Sequence, residues 1–76
     1  MGRALKGYYV RVQADGALPN GSRARRVADP AGDLGTIIGS IRRLGRSGST
    51  LEYFVEWDEQ PGVAVLVTDA LELGRP

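Results

Sequence analysis

Residues able to carry out acid–base chemistry are few in this chain of 76 residues. It contains no histidine and no cysteine, so a general base near neutral pH would have to be a strongly shifted carboxylate or the single lysine, Lys6. Glu56, Asp58 and Glu59 lie close together, and Glu56 and Asp58 share one face of a predicted strand, as a coupled carboxylate pair would. A solvated outer face accounts for the same spacing. We therefore predict no catalytic residue and no enzyme activity.

Metal and cofactor sites also lack their usual ligands in this sequence. Without histidine or cysteine, the common zinc-ligand sets cannot form, and neither can a disulfide. No Asp-rich loop of the calcium-binding type is visible. The segment Asn20-Gly21-Ser22 lacks the Gly-Lys-Ser/Thr pattern of a phosphate-binding loop. The sequence therefore predicts neither a bound metal nor a cofactor.

Arginine is the residue type best suited here to binding a partner, because its guanidinium recognises phosphates and carboxylates through paired hydrogen bonds. If the second and third strands are neighbours, two arginine groups merge into one basic patch, beside which Tyr9 offers a ring for base stacking. The isoelectric point of 8.2 lies below the value of about 9 that is typical of nucleic-acid-binding domains. RNA or DNA binding is therefore kept as an alternative function, with six arginines as its candidate residues: Arg23, Arg25, Arg26, Arg42, Arg43 and Arg46.

Charge is unevenly distributed along the chain. Residues 1–50 carry nine basic and three acidic side chains, and residues 51–76 carry one basic and six acidic side chains, which together give the net charge of +1. No apolar run approaches the roughly 20 residues of a membrane span, and no secretion signal is recognisable at the N-terminus. We predict one domain over residues 1–76, with a cytoplasmic location and no membrane association.

The apolar residues occur in short segments that glycine and proline separate, a pattern typical of all-β domains. Alternation predicts that Ile37, Gly39 and Ile41 share one strand face, with Gly39 marking a bulge. The turn dipeptides Asp15-Gly16 and Asn20-Gly21 predict a flexible loop over residues 14–22. We predict one helical turn near residues 68–70 and six strands, at about 8–13, 22–27, 35–44, 51–58, 63–67 and 71–73.

Two of these strands predict an interaction surface. In the strand 51–58, an inward Tyr53 forces the neighbouring Phe54 outward. The strand 63–67 is apolar throughout, as in strands covered on both faces. An outward phenylalanine beside such a strand indicates an exposed apolar patch. The leading hypothesis is therefore a homo-oligomer, or a protein partner, bound through a face that carries Phe54, Ala64 and Leu66.

The order of the predicted elements resembles that of bacterial SH3-like barrels over about residues 22–73. The segment from Gly35-Thr36-Ile37-Ile38-Gly39 to Tyr53-Phe54-Val55-Glu56-Trp57-Asp58 is similar to the core motif of many of them, including an actinobacterial domain of unknown function. The resemblance implies a five- to six-stranded SH3-like barrel. It implies nothing specific about function, because one fold carries many functions.

A second resemblance is to the plasmid-borne type II dihydrofolate reductases, which are SH3-like barrels of similar length that assemble around a pore. Gln60-Pro61-Gly62 and Ala70-Leu71-Glu72 match that family's turn and C-terminal motif, with one residue deleted after the Pro-Gly. The resemblance places Ala64 and Leu66 where the family's ring-binding glutamine and tyrosine stand. Neither side chain has an amide or a phenol, so we predict no reductase activity. An oligomeric, reductase-like binder of small molecules is kept as a second alternative.

Overall fold

The computed structural model describes residues 12–74, and these form an all-β domain. Tyr9 and Lys6 lie outside the described residues, as does most of the strand predicted over residues 8–13. One turn of 3-10 helix, Thr68–Ala70, precedes the last strand, as predicted. The five strands are β1 (Arg23–Arg26), β2 (Gly35–Gly45), β3 (Gly48–Trp57), β4 (Val63–Val67) and β5 (Leu71–Leu73).

The strands form one antiparallel sheet in the order β4-β3-β2-β1-β5. The long hairpin of β2 and β3 is its centre, and β4 and β5 are its two edges. β1 pairs with β2 only at the start of β2, where Arg23 lies opposite Thr36 and Ala24 opposite Gly35. The prediction of an all-β fold with a short helical turn is confirmed.

The core lies on the inner face of this sheet, and β3 supplies half of it. Tyr53, Val55 and Trp57 are buried, which confirms the face predicted from their alternation. Ala24 from β1 is also buried. The remaining buried apolar residues are Ile37 from β2 and Leu71 from β5.

A β-bulge in β2 divides the strand into two parts that present opposite residues to the core. The register with β3 shifts between Ile37 and Gly39, which confirms the predicted irregularity. Beyond it, Ser40 is fully buried, and Ile41 aligns with Glu52 on the outer face. The prediction that Ile41 continues the face of Ile37 is therefore wrong. A bulge adds one residue to one strand, and that residue reverses the subsequent alternation.

Residues 14–22 form turns and no strand, as predicted for the loop, whereas residues 12 and 13, predicted as the end of a strand, are not part of one. Two buried hydroxyl groups hold this loop against the sheet. The backbone N–H of Ala14 donates to Ser40 Oγ at 3.0 Å, and that of Leu18 donates to Tyr53 Oη at 3.0 Å. These bonds give the hydroxyl groups the partners that burial requires. The predicted flexibility of the loop stays a prediction.

Candidate functional site

An apolar surface covers the outer side of β3 and β4. Cross-strand partners share a face, and Phe54 lies opposite Val65. Glu52 and Glu56 lie opposite Val67 and Val63, so all three valines point outward with Phe54. Val65 is 55% exposed, and Phe54 is half-buried. We call Phe54, Val63, Val65 and Val67 the β4 outer face.

Ala64 and Leu66 lie on the opposite side of β4 from Phe54. Their partners across the ladder are the buried Val55 and Tyr53, and both side chains pack against the core. The predicted face carrying Phe54, Ala64 and Leu66 together is therefore wrong. A strand that is apolar at every position contains no alternation from which to choose its inner side.

Sequence reasoning missed the three outward valines, although a signal for them existed. The alternation of β3 correctly places Phe54 outward. Once Phe54 is paired with Val65, a period of two assigns Val63 and Val67 to the same side. The register of the β3–β4 hairpin was the missing information. The expectation that both faces of β4 are covered is wrong for the outer one, which is exposed.

β4 also lies at the edge of the sheet that residues 12–74 form, where one side of its backbone has no neighbouring strand among those residues. Edge strands usually carry charged residues, proline or a bulge that prevents pairing with another chain. The sequence Val63-Ala64-Val65-Leu66-Val67 contains no charge and no proline. Its register with β3 is regular over all five positions. β4 is therefore an unprotected edge.

The arginines of β1 are held by contacts within the domain. Arg23 donates to Thr36 Oγ1 at 2.7 Å and forms a two-pronged salt bridge with Asp58. Arg25 donates to the carbonyl of Pro30 at 2.8 Å. The guanidinium of Arg26 lies over the Trp57 ring, 4.3 Å from its centre, in a cation–π contact.

The other three arginines lie at the far end of the central hairpin. Arg42 and Arg43 belong to the last part of β2, and Arg46 lies in the turn that follows. Thr36 marks the position of β1 along β2, and six residues separate it from Arg42, which corresponds to about 20 Å along a strand. The sequence left open whether the two arginine groups form one patch, and the structure places them apart. The two ends of a long strand such as β2 lie far apart.

The salt bridge between Arg23 and Asp58 makes stability depend on pH at the acidic end. The hydrogen bond from Arg23, assisted by its positive charge, lowers the pKa of Asp58. Because the pKa of Asp58 is lower in the folded state than in the unfolded state, the domain is stabilised at pH values above the ordinary aspartate pKa. That stabilisation is lost as the pH falls through the lowered value. The hydrogen bond that Arg23 donates to Asp58 likewise raises the pKa of Arg23, whose contribution is lost only under strongly alkaline conditions.

We expect Asp58→Asn to lower the free energy of unfolding at neutral pH by a small amount, since the pair is exposed to solvent. The difference in free energy of unfolding between this variant and the wild-type chain should shrink as the pH falls below the ordinary aspartate pKa. Urea denaturation at neutral and acidic pH, followed by Trp57 fluorescence, measures both quantities. A difference that stays constant across that range would contradict the assignment of the pKa shift to this salt bridge.

A concavity of about 470 Å³ lies where the end of β3 meets the following turn. Thr36, Glu56, Asp58 and Glu59 contribute its polar lining. Asp58 forms a salt bridge with Arg23, so Glu56 and Asp58 are not a pair of free acids. The lowered pKa of Asp58 also disfavours it as a proton acceptor near neutral pH. Within residues 12–74, no group of acidic side chains is arranged to hold a metal ion.

None of the helical structure within residues 12–74 has the length and apolar character needed to cross a lipid bilayer. The chain matches no protein-family model, no curated protein and no solved structure.

Proposed function

We propose that this chain is a non-catalytic, cytoplasmic assembly module with an SH3-like barrel fold, which self-associates through β4. The order of its elements supports the barrel assignment. A short strand, a long hairpin, an apolar strand, one 3-10 turn and a short last strand follow one another as in the bacterial barrels that the sequence resembles. The observation that supports self-association is the exposed, uncharged edge strand β4 with its row of outward valines.

Two physical effects favour pairing at β4. The backbone N–H and C=O groups on its free side gain partners when a second strand is added. The outward side chains of Val63, Val65 and Val67 gain apolar cross-strand neighbours from the added strand, and each such pair contributes about 0.2–1 kcal/mol. Glu52 and Glu56 flank the valines on β3 and remain at the rim of the interface. An apolar centre with a polar rim is the usual composition of a protein interface.

The partner that we propose is a second copy of the same chain. Two β4 strands aligned antiparallel about Val65 place Val63 of each copy opposite Val67 of the other. The same alignment places Ala64 opposite Leu66 on the inner side, so that a small residue faces a larger one. No charged residue of β4 opposes another in this arrangement, because β4 has none.

We expect Val65→Asp to convert the oligomer to a monomer, because the alignment about residue 65 would place two carboxylates directly opposite each other across the paired strands. Val27→Asp is the matched control, since Val27 is 46% exposed but lies outside the β4 outer face. Sedimentation velocity at low micromolar and high micromolar concentrations measures the oligomeric state. Circular dichroism verifies that both variants are folded.

The wild-type chain and Val27→Asp should sediment as a dimer or larger species at the higher concentration, and Val65→Asp as a monomer. A wild-type chain that is monomeric at every concentration would refute self-association. Equal effects of the two substitutions would show that the interface does not include β4.

A further inference from the structure

Among residues 12–74, the far end of the β2–β3 hairpin forms a ribbon of two strands, which we call the hairpin arm (residues 42–51). β4 pairs with β3 only from Glu52 onward, and β1 pairs with β2 only at its start. The described residues therefore provide no third strand beside the arm. Every residue from 42 to 50 is exposed. The arm ends in a tight turn in which Gly48 adopts a positive φ of 126° and Arg46 is at the tip.

The arm carries three arginines and no acidic residue. Arg42 and Arg43 are adjacent in β2, so they point to opposite faces of the ribbon. Arg42 donates to Ser49 Oγ at 3.1 Å and to the carbonyl of Asp15 at 2.7 Å. Arg43 donates to a carboxylate oxygen of Glu52 at 3.0 Å. These contacts orient both side chains. Each guanidinium has further N–H donors that these contacts do not use.

Arg46 differs from the other two because no contact with a described residue holds it. The charge of the arm is therefore presented in three directions, one on each face and one at the tip. Leu44, which shares the face of Arg42, is 82% exposed and adds an apolar contact near the tip. This arrangement matches a partner whose negative charge lies on two opposing walls.

We propose that the hairpin arm binds in the major groove of duplex DNA. That groove is about 12 Å wide and about 8.5 Å deep, and it admits a two-stranded β-ribbon. The arm's strands are about 5 Å apart, and the part from Arg42 to Arg46 extends for about 14 Å, enough to reach the floor. Arg42 and Arg43 then face the phosphates of the two walls, and Arg46 and Leu44 face the base edges.

Other nucleic acids match the arm less well. The major groove of duplex RNA is deep and narrow, and side chains cannot read it. Single strands are bound mainly by stacking bases on aromatic rings, and residues 42–51 contain none. The arm lies beyond the part of β3 that pairs with β4, so this proposal and the proposed self-association are independent.

Fluorescence anisotropy with a labelled DNA duplex tests the proposal at several salt concentrations. Two phosphate contacts, from Arg42 and Arg43, give a log–log slope of about −1.8, which is a loss of roughly 12-fold in affinity between about 50 and 200 mM salt. Arg42→Gln should reduce that loss to roughly 3.5-fold, because one phosphate contact is removed. Arg25→Gln is the matched control. It removes the same charge from β1, about 20 Å or more from the arm, and should leave the slope unchanged.

Replacing Arg42, Arg43 and Arg46 together by glutamine should abolish most of the salt dependence. A wild-type chain that does not bind the duplex would overturn the proposal. Equal slopes for Arg42→Gln and the wild-type chain, or an equal loss in Arg25→Gln, would also overturn it. Duplex RNA or heparin bound as tightly as duplex DNA would show a general polyanion surface instead of a groove-binding arm. Val65→Asp, which tests self-association, should retain the slope of the wild-type chain.

Discussion

Gly35→Ala is expected to remove most of the stability of the domain. A methyl group at Gly35 would lie 2.5 Å from Val55 Cγ1 and 2.8 Å from Trp57 Cε3, both of which belong to buried core residues. It would also lie 3.0 Å from the backbone oxygen of Glu56. Overpacking of this kind costs about 1–3 kcal/mol, and a core of this size supplies about 3–5 kcal/mol. The backbone oxygen cannot move aside as the end of a flexible side chain can.

Gly45→Ala provides the control for this prediction. A methyl group there would lie 3.5 Å from the backbone oxygen of Gly48, which is an ordinary contact, and the residue is exposed at the end of the arm. Both substitutions reduce the conformational freedom of the unfolded chain equally, so the comparison isolates the contact in the core. Urea denaturation followed by Trp57 fluorescence measures both variants. Equal midpoints would contradict the close packing of β2 on β3 at Gly35.

Ile37→Ala is expected to destabilise the domain by about 2–5 kcal/mol, the usual range for removing the side chain of a buried isoleucine. Ile37 is 0% exposed, and its partner across the ladder is the equally buried Val55. The loss combines the transfer energy of the removed atoms with the cavity that they leave. For a domain of this size, the variant should be largely unfolded near physiological temperature.

Ile41→Ala removes the same atoms from the same strand and should have a much smaller effect. Beyond the bulge, Ile41 aligns with Glu52 on the outer face and is only half-buried. Free energies of unfolding from urea titrations of the two variants give the comparison. Equal losses would place Ile41 in the core and would mean that β2 continues without the bulge.

Much of the fold followed from local patterns. The alternation of Tyr53, Val55 and Trp57 with charged neighbours correctly predicted the inner face of β3. Glycine and proline marked the connections between strands, because turns require the backbone conformations that these residues favour. The 3-10 turn at Thr68–Ala70 was also confirmed. These features depend on residues that are neighbours in the chain or lie two positions apart.

Predictions for the candidate site succeeded less well, for two physical reasons. In β4, every position is apolar, so hydrophobicity could not distinguish the outward Val65 from the inward Ala64 and Leu66. In β2, the bulge reversed the alternation after Ile37. Both results depend on register with a neighbouring strand, which is a property of the pair of strands and not of either one alone.

The sequence by itself determined which chemistry is absent and which strands have an inner face. The chain contains no histidine and no cysteine, so no conformation of it can provide a thiolate, an imidazole base or one of the common zinc sites. Only the tertiary structure decided which residues meet. It brings Asp58 to Arg23 across 35 positions of sequence, turns Val65 outward at a sheet edge and places the two arginine groups at opposite ends of β2. Side-chain type is local, whereas strand order, register and edge position arise only when distant segments pair.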